Sequence, residues 1–529
     1  ADRAAMPLAA LCWDGGVAAA AVEPYSESEA GTIRNGVFAA LPDAFGISLG
    51  YTNDPTTFKN RSTPAPSTRS MACKAQTSGR IYLHSGPRTE LHEIIRQEYA
   101  RHQDRAAPRN TLRQAVQGML DTFAYQNFDA AAGEYTNRCC RPPRETEMRP
   151  WRLVTEIGWT GGGVLAYPLV LCRDALGADA EAPLAAAMSG EQLFDRIADA
   201  YNENSGLLND LMAPNAAGSQ VNGWWTGYGL VKDCHCAYTV GSAVHYLTKT
   251  MDYLHQNGKP CPAKWMDAAQ KVLHTVMDLQ RADGAFGYTY STQERRVLDW
   301  SGFAGCWFAP ALVYLYRLTG EERCLHSAEK ALHYYHTFVK DLNCYGTPMD
   351  TWKAVDEEGN LAFMRGSRLL YEQTGKAEFL QYMKDSAGYE FLWRYGYKTY
   401  PEHTPLNQGW SACGGAVTSV SNPHIHPMGV IIDTDLRYLA RVTGDGYYAS
   451  RAADSAAWML QCLELYPAAT GYGRYGILSE RWCPSDGLDV ERFSDGRPFS
   501  SWFSHNLWAS ACVLEAACEL LLEIEHKKG

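Results

Sequence analysis

The feature that most constrains this chain is a turn that recurs between helices. Three apolar helical runs end in the same way, at Leu318-Thr-Gly-Glu321, Gln373-Thr-Gly-Lys376 and Val442-Thr-Gly-Asp445. A Gly just past a helix end is a C-cap, where the backbone takes positive φ. Around these turns the hydrophobic period is helical from about residue 110 onward. It predicts helices over 110–125, 160–176, 188–203, 236–255, 263–281, 302–318, 321–341, 358–373, 376–395, 427–442, 446–465 and 501–524.

These segments alternate in character. The seventh carries Cys324, Leu325, Ala328, Leu332, Tyr335 and Val339 on one face, with Glu and Lys opposite, as a one-sided outer helix does. The sixth and twelfth are apolar nearly all round, as buried helices are. The connections alternate too: tight turns lead from even to odd helices, and long loops lead from odd to even. Helical hairpins with every long loop at one end predict a closed toroid. The expected fold is therefore mainly α, an (α/α)6 barrel of six hairpins with the even helices inside. The long loops then ring one face of a central pit, where function usually resides.

Residues 1–90 read differently. They are rich in Gly, Pro, Ser and Thr, with short apolar runs such as Phe45-Gly-Ile-Ser-Leu49 and Arg80-Ile-Tyr-Leu-His84. This is the pattern of a small β-rich region. A polar linking helix is expected over 91–106, and the barrel domain occupies 91–529.

Composition excludes several partners. With 48 Lys+Arg against 59 Asp+Glu, the net charge is −11 and no basic stripe stands out. That argues against nucleic acid. No run of about 18 apolar residues predicts a membrane span. Many cysteines, among them Cys172, Cys306, Cys324, Cys462, Cys512 and Cys518, sit in apolar helical runs, the usual place of free thiols. A cytoplasmic protein is expected, or a periplasmic or secreted one if a signal peptide has been removed. Oligomeric state is left open. No Walker loop, Rossmann fingerprint or Gly-x-Ser-x-Gly elbow occurs, and no cofactor is expected. Cys139-Cys140 and Cys234-His-Cys236 lack the spacing of ordinary zinc sites, so no metal is expected either.

The long loops share one composition. They hold Trp224, Trp225 and Tyr228; Asp299 and Trp300; Asp350 and Trp352; Trp410; His424 and His426; Glu480 and Trp482. The chain has 15 Trp and 31 Tyr, and many fall in these loops. Sugar rings offer a C–H face and a rim of hydroxyls, which aromatic platforms and acids match. The competing reading is that these rings cap a hollow toroid and exclude water. An oligosaccharide is the expected partner. Arg152 ends an Arg-rich stretch from Arg138, which suits a uronate as well as a solvated loop with internal ion pairs.

Hairpin turns, loop character and element order together resemble the (α/α)6, six-hairpin glycosidases over about residues 88–524, the glucoamylase-like members most. By position, that resemblance implies a general acid at Asp299, in Val297-Leu-Asp-Trp-Ser301, and a base at Glu480, with Asp486 and Asp489 as rivals. An inverting glycosidase needs one carboxyl with a raised pKa and a second that activates water. Leu298 and Trp300 suggest desolvation of Asp299; its alternative is an N-cap of the sixth helix. Glu156 beside Gly161–Gly163, Asp350 and Asp433 are further acid candidates, Asp433 because carboxylates are favoured in a first helical turn. His424 and His426, two apart in an extended loop, point the same way. His505 reads as a core histidine, and Asp283-Gly284 as a turn. A glycoside hydrolase is the leading expectation. A polysaccharide lyase with a His or Tyr base, or a non-catalytic carbohydrate-binding toroid, are the alternatives.

Overall fold

The computed structural model of the chain describes residues 5–28, 31–34, 36–40, 44–48, 76–108, 110–139, 149–152, 157–158, 162–211, 222–225, 230–347, 353–398, 411–420, 422–463, 476, 478, 480, 482 and 504–527. In chain order the helices are α1 Glu90–His102, α2 Leu112–Thr122, α3 Gly163–Leu176, α4 Glu181–Ala186, α5 Gly190–Asp199, α6 Ala237–Gln256 and α7 Ala263–Asp278. Then come α8 Phe308–Thr319, α9 Glu322–Lys340, α10 Glu358–Thr374, α11 Ala377–Glu390, α12 Asp433–Thr443, α13 Gly446–Gln461 and α14 Leu507–His526.

Helices α3, α6, α8, α10, α12 and α14 stand side by side in a ring, and α14 returns to α3 to close it. Helices α2, α5, α7, α9, α11 and α13 pack on this ring from outside. The chain is thus the (α/α)6 toroid that the hydrophobic period predicts. The side chains of α8 from Phe308 to Leu315 are all buried, whereas α9 buries only its Cys324, Leu325, Ala328, Leu332, Tyr335, Val339 side and close neighbours.

The repeated turn does more than place a glycine. Gly320, Gly375 and Gly444 have φ of 73°, 65° and 71°, as a C-cap requires. The threonine before each closes the turn from both sides. Its hydroxyl donates back to the carbonyl four residues earlier, at 2.8 Å for Thr319, 2.7 Å for Thr374 and 2.7 Å for Thr443. The same oxygen accepts the N–H of Glu321, Lys376 or Asp445, at 3.2 Å in each case.

Three inner helices start later than the period suggests. A 3-10 turn over Ala304–Trp307 precedes α8, and another over Met428–Ile432 precedes α12. Before α14, Ser504–His505 pairs with Arg138–Cys139 as a strand. Apolar runs in these places continue the burial pattern without continuing the helix, so periodicity alone misses the change.

The lumen of the ring is packed. Lys249 of α6 bonds Glu515 and Glu519 of α14, and lies 4.2 Å over the Tyr167 ring of α3. Arg365 of α10 clamps Asp435 of α12 at 2.8–2.9 Å. The first set ties α6 to α14, and the second ties the neighbouring helices α10 and α12.

Near the N-terminus, strands Leu8–Trp13, Gly16–Val22 and Gly79–Ser85 form an antiparallel sheet. The central strand buries every residue but Ala18, and α1 packs on it. Helix α1 in turn docks on the outer wall, where Arg96 grips Asp445 at 2.7 and 2.9 Å and Tyr99 donates to Asp454 at 2.5 Å. No helix among the described residues is long and apolar enough to cross a membrane.

Candidate functional site

All inner helices begin at the same end of the ring, and the long segments lead into that end. Helix N-termini carry partial positive charge and unpaired N–H groups, so acids gather there. At the start of α10 three acids follow one another. Asp356, Glu357 and Glu358 are 0, 0 and 6 % exposed.

Asp356 ties the helix start to the preceding loop. Its carboxylate accepts the Gly359 N–H at 3.2 Å and the Thr347 N–H at 3.1 Å. Burial outweighs these bonds and pushes its pKa up to about 8.

Glu357 faces the gap between α10 and α11. Neither of its carboxyl oxygens has a hydrogen-bond partner, and both are buried. Burial, reinforced by Glu390, pushes its pKa well above the usual range, against the pull of Arg394. Glu390 ends α11 and bonds Arg394, which also donates to Asp433 at 2.8 Å and to the Gly429 carbonyl at 2.7 Å. Burial raises the pKa of both Glu390 and Asp433, with Arg394 opposing it. Gly429 lets these groups converge. A Cβ there would lie 3.1 Å from a Glu390 carboxyl oxygen and 3.3 Å from one of Glu357. Arg394 therefore faces three buried carboxyls, with Arg451 and Arg437 adding their pull on Glu390 and Asp433. Burial still outweighs these cations and disfavours the anionic forms.

Glu358 faces the lumen, where the Tyr238 hydroxyl meets it. Tyr238 stands edge-on to Trp307 at 5.8 Å, and Trp307 lies 5.6 Å from His245. Burial keeps Tyr238 protonated and His245 neutral. On the opposite wall, His426 and Trp508 lie 5.9 Å apart. Glu480 is 6 % exposed. Its segment is fixed by Trp482, whose backbone exchanges hydrogen bonds with Ile425 at 2.8 and 2.9 Å. Antiparallel pairing at that point carries Glu480 toward Pro427, at the mouth above α12.

The residues expected from the sequence fall into three groups. Glu156, Asp350, Tyr228, Trp352, Trp410, Asp486 and Asp489 lie outside the described residues. Arg152, Trp225 and His424 are described as strand backbone only. The rest are placed. Asp433 and His426 come together with the buried acids at the mouth. Asp299 does not have the apolar setting expected for it. Leu298 is 43 % exposed, and Asp299 bonds Lys353 at 2.6 Å. It does not cap the sixth helix either, but accepts the Ser301 N–H at 2.8 Å within a local turn. Trp300 carries the Arg281 guanidinium 5.3 Å above its ring. Trp224 and Trp482, expected as open sugar platforms, are each 1 % exposed and present no free ring face.

Two further expectations meet plain outcomes. His505 is a core histidine, with Asn127 at 3.1 Å, and burial lowers its pKa to about 4. His235, between Cys234 and Cys236, spends both ring nitrogens on Asp210 at 2.8 Å and Ser205 at 2.9 Å. Asp210 also accepts the Cys236 N–H at 3.0 Å, so this trio pins the strand that feeds α6.

Sequence reasoning passes over Glu357, Glu358, Glu390, Arg394, Tyr238 and Trp307. One signal for them exists. Val355-Asp-Glu-Glu-Gly359 places three acids where a long loop enters an apolar helix. Glu390 and Arg394, four apart at the end of α11, form an i,i+4 pair.

No protein-family model matches the chain, and no curated protein matches it. Solved structures do. A family 76 glycoside hydrolase from a bovine Bacteroides thetaiotaomicron strain superposes with a TM-score of 0.51 at 10 % identity, covering 98 % of each chain. A GH76 alpha-mannanase of Bacteroides thetaiotaomicron superposes with a TM-score of 0.50 at 12 % identity, over 79 % of this chain and 98 % of that one. The likeness shows a shared (α/α)6 fold.

Proposed function

We propose that the protein is a glycoside hydrolase acting on an oligosaccharide by carboxyl acid–base chemistry at the mouth of the toroid. The observation that carries this reading is the Glu357–Glu358 step. Two adjacent acids open one inner helix. One is held protonated by burial and like charge, and the other faces a lumen of Tyr238, Trp307, His426 and Trp508.

Cleaving a glycosidic bond needs a proton on the leaving oxygen and a base, or a nucleophile, on the opposite face. A carboxyl that keeps its proton at neutral pH is suited to the first task. In this reading Glu358, on the lumen side, delivers the proton to the leaving oxygen, and the buried, protonated Glu357 stands directly behind it, its proton held partly by the charge of Glu358. Glu480, from the segment before α14, supplies the second carboxylate. The surrounding rings match the C–H faces of a sugar, and Tyr238 orients Glu358. Asp299, with its Lys353 partner, belongs to the rim. Neutral His245 and nearby His426 favour one second reading, proton abstraction from a uronate by a polysaccharide lyase.

The test is hydrolysis of a panel of aryl glycosides, aryl glucuronides and oligosaccharides by wild type, Glu358→Gln, Glu480→Gln and Asp299→Asn. Loss of a general acid or base costs roughly 10²–10⁴-fold in kcat. That loss is expected in the first two variants, and less than about tenfold in the third. Hydrolysis that survives both Glu→Gln changes overturns the assignment. No hydrolysis by wild type, with a rise in ultraviolet absorbance on uronate polymers, moves the lyase reading forward.

A further inference from the structure

The ring has one seam where neighbouring inner helices do not follow each other in the chain. There α14, the last, meets α3, the first. Each carries a cysteine that faces the other across this contact. The sulfurs of Cys172 in α3 and Cys518 in α14 lie 3.9 Å apart, although 346 positions separate them in sequence. Both residues are 0 % exposed. They stand in the second half of their helices, toward the end of the ring opposite the mouth.

Every other junction of the ring is spanned by a single helical hairpin and its loops. At this seam the two helices meet only after the whole barrel has been threaded. Tyr167 of α3 donates to Glu519 of α14 at 3.1 Å, and buried apolar side chains of both helices pack around that bond. A covalent link here closes nearly the longest loop that the barrel contains. Cross-links over long loops restrict the unfolded chain most. A disulfide holds its sulfurs about 2.0 Å apart. The pair must therefore close by about 3.9 − 2.0 = 1.9 Å, or about 1 Å of travel for each sulfur. Rotation about the two Cα–Cβ bonds covers such a distance.

The surroundings decide when such a bond can form. Burial pushes the Cys518 thiol well above its ordinary pKa, with Cys172 adding to the shift. The thiolate is the reacting form, so the closed seam offers neither a nucleophile nor a path for an oxidant. Exchange belongs to the open seam: while the ring closes during folding, or when it parts transiently afterwards. Cys261, which is exposed, meets the same reagents in the folded protein.

We infer that Cys172 and Cys518 form a disulfide clasp that joins the first and last inner helices when the protein meets a small disulfide oxidant such as oxidised glutathione. One cysteine thiolate attacks the oxidant, RS–SR, to give a mixed disulfide and RS⁻. The other thiolate attacks the cysteine sulfur of that mixed disulfide, forming the Cys172–Cys518 bond and releasing the second RS⁻. Two electrons pass to the oxidant, and the two protons lost by the cysteines end on its two thiols. Where thiols are kept reduced, the pair stays open. The clasp lies far along the helices from the mouth and does not depend on the mouth being catalytic.

The test incubates the full chain with oxidised glutathione at about pH 8, in buffer and in urea below the unfolding midpoint. Free thiols are then alkylated, and peptides are mapped by mass spectrometry without reduction. Expected is a linked peptide pair holding Cys172 and Cys518, formed faster in urea and lost on adding dithiothreitol. The oxidised protein should unfold more slowly in urea, with a Tm higher by roughly 3 °C or more. Cys518→Ala and Cys172→Ala should show neither the link nor the rise in Tm, and Cys261→Ser should show both. Thermal unfolding of the reduced forms confirms that the variants are folded. Absence of the link in urea, in samples where Cys261 has taken up glutathione, overturns the clasp. Pairing of either cysteine with a different one also overturns it. A link that leaves Tm and the unfolding rate unchanged overturns its role in fastening the ring. Loss of hydrolysis bears on the mouth and not on the seam.

Discussion

Replacing Asp356 by Asn tests the physical account of the acidic mouth most directly. In the folded protein burial raises the Asp356 pKa from 3.8 to about 8. Between those values the native state keeps a proton that the unfolded chain has released. Stability therefore falls as pH rises across the window. The gap is 8 − 3.8 = 4.2 units, which at about 1.36 kcal/mol per unit amounts to roughly 6 kcal/mol. Asparagine does not titrate, so the variant lacks this slope.

It has a cost of its own. The Asp356 carboxyl accepts two N–H groups, one on each oxygen, from Gly359 and Thr347. An amide offers one oxygen and turns its NH₂ toward the other donor, a loss of about 1–3 kcal/mol. The variant should thus be less stable than wild type near pH 4. The difference should shrink with rising pH and reverse before about pH 8. Urea unfolding at several pH values between these limits reads it directly. A stability difference that stays constant with pH would refute the reasoning, because it would mean that Asp356 is ionised in the native state throughout.

Other perturbations follow from the same geometry. Lys249→Met leaves Glu515 and Glu519 buried without their ammonium, and should cost about 3–5 kcal/mol in chemical unfolding at neutral pH. Part of that loss should be recovered in acid, where the carboxyls take up protons. Thr374→Val removes a hydroxyl that bonds on both sides of its turn, and should cost about 1 kcal/mol and lower Tm. Gly429→Ala sets a methyl 3.0 Å from the Ala416 Cβ as well as beside Glu357 and Glu390. It should cost about 1–3 kcal/mol, and it should move the alkaline limb of the pH–rate profile, which a carboxyl that must keep its proton sets.

The ring was legible in the sequence because packing imposes a period. Helices α8 and α9 differ in burial as their apolar patterns do, and the Thr-Gly turns mark where inner helices stop. The site was less legible. Asp299 looks apolar in one dimension, with Leu298 and Trp300 as neighbours, yet Lys353 reaches it from 54 residues away. Trp224 and Trp482 have the composition of platforms, and burial by distant segments decides otherwise. Glu357 and Glu358 stand next to each other in the chain and meet different neighbours, Glu357 meeting Glu390 and Glu358 meeting Tyr238. That divergence follows from the helical turn, but its meaning depends on Arg394 and Gly429, which reach the cluster from two other elements.

The architecture itself gives a reason for acids to collect at this end. Every inner helix starts there, so the mouth is ringed by N-termini whose partial charges favour carboxylates. The lower lumen, by contrast, is filled by charges that have partners: Lys249 with Glu515 and Glu519, and Arg365 with Asp435. At the mouth the pattern differs. Glu357, Glu390 and Asp433 converge on Arg394, with Arg451 and Arg437 adding their pull, yet oxygens of all three carboxyls lack hydrogen bonds. Burial outweighs these cations and raises the pKa of each carboxyl, that of Glu357 well above the usual range. A carboxyl with a raised pKa at the end of the ring where the long loops gather is what acid catalysis on a sugar requires.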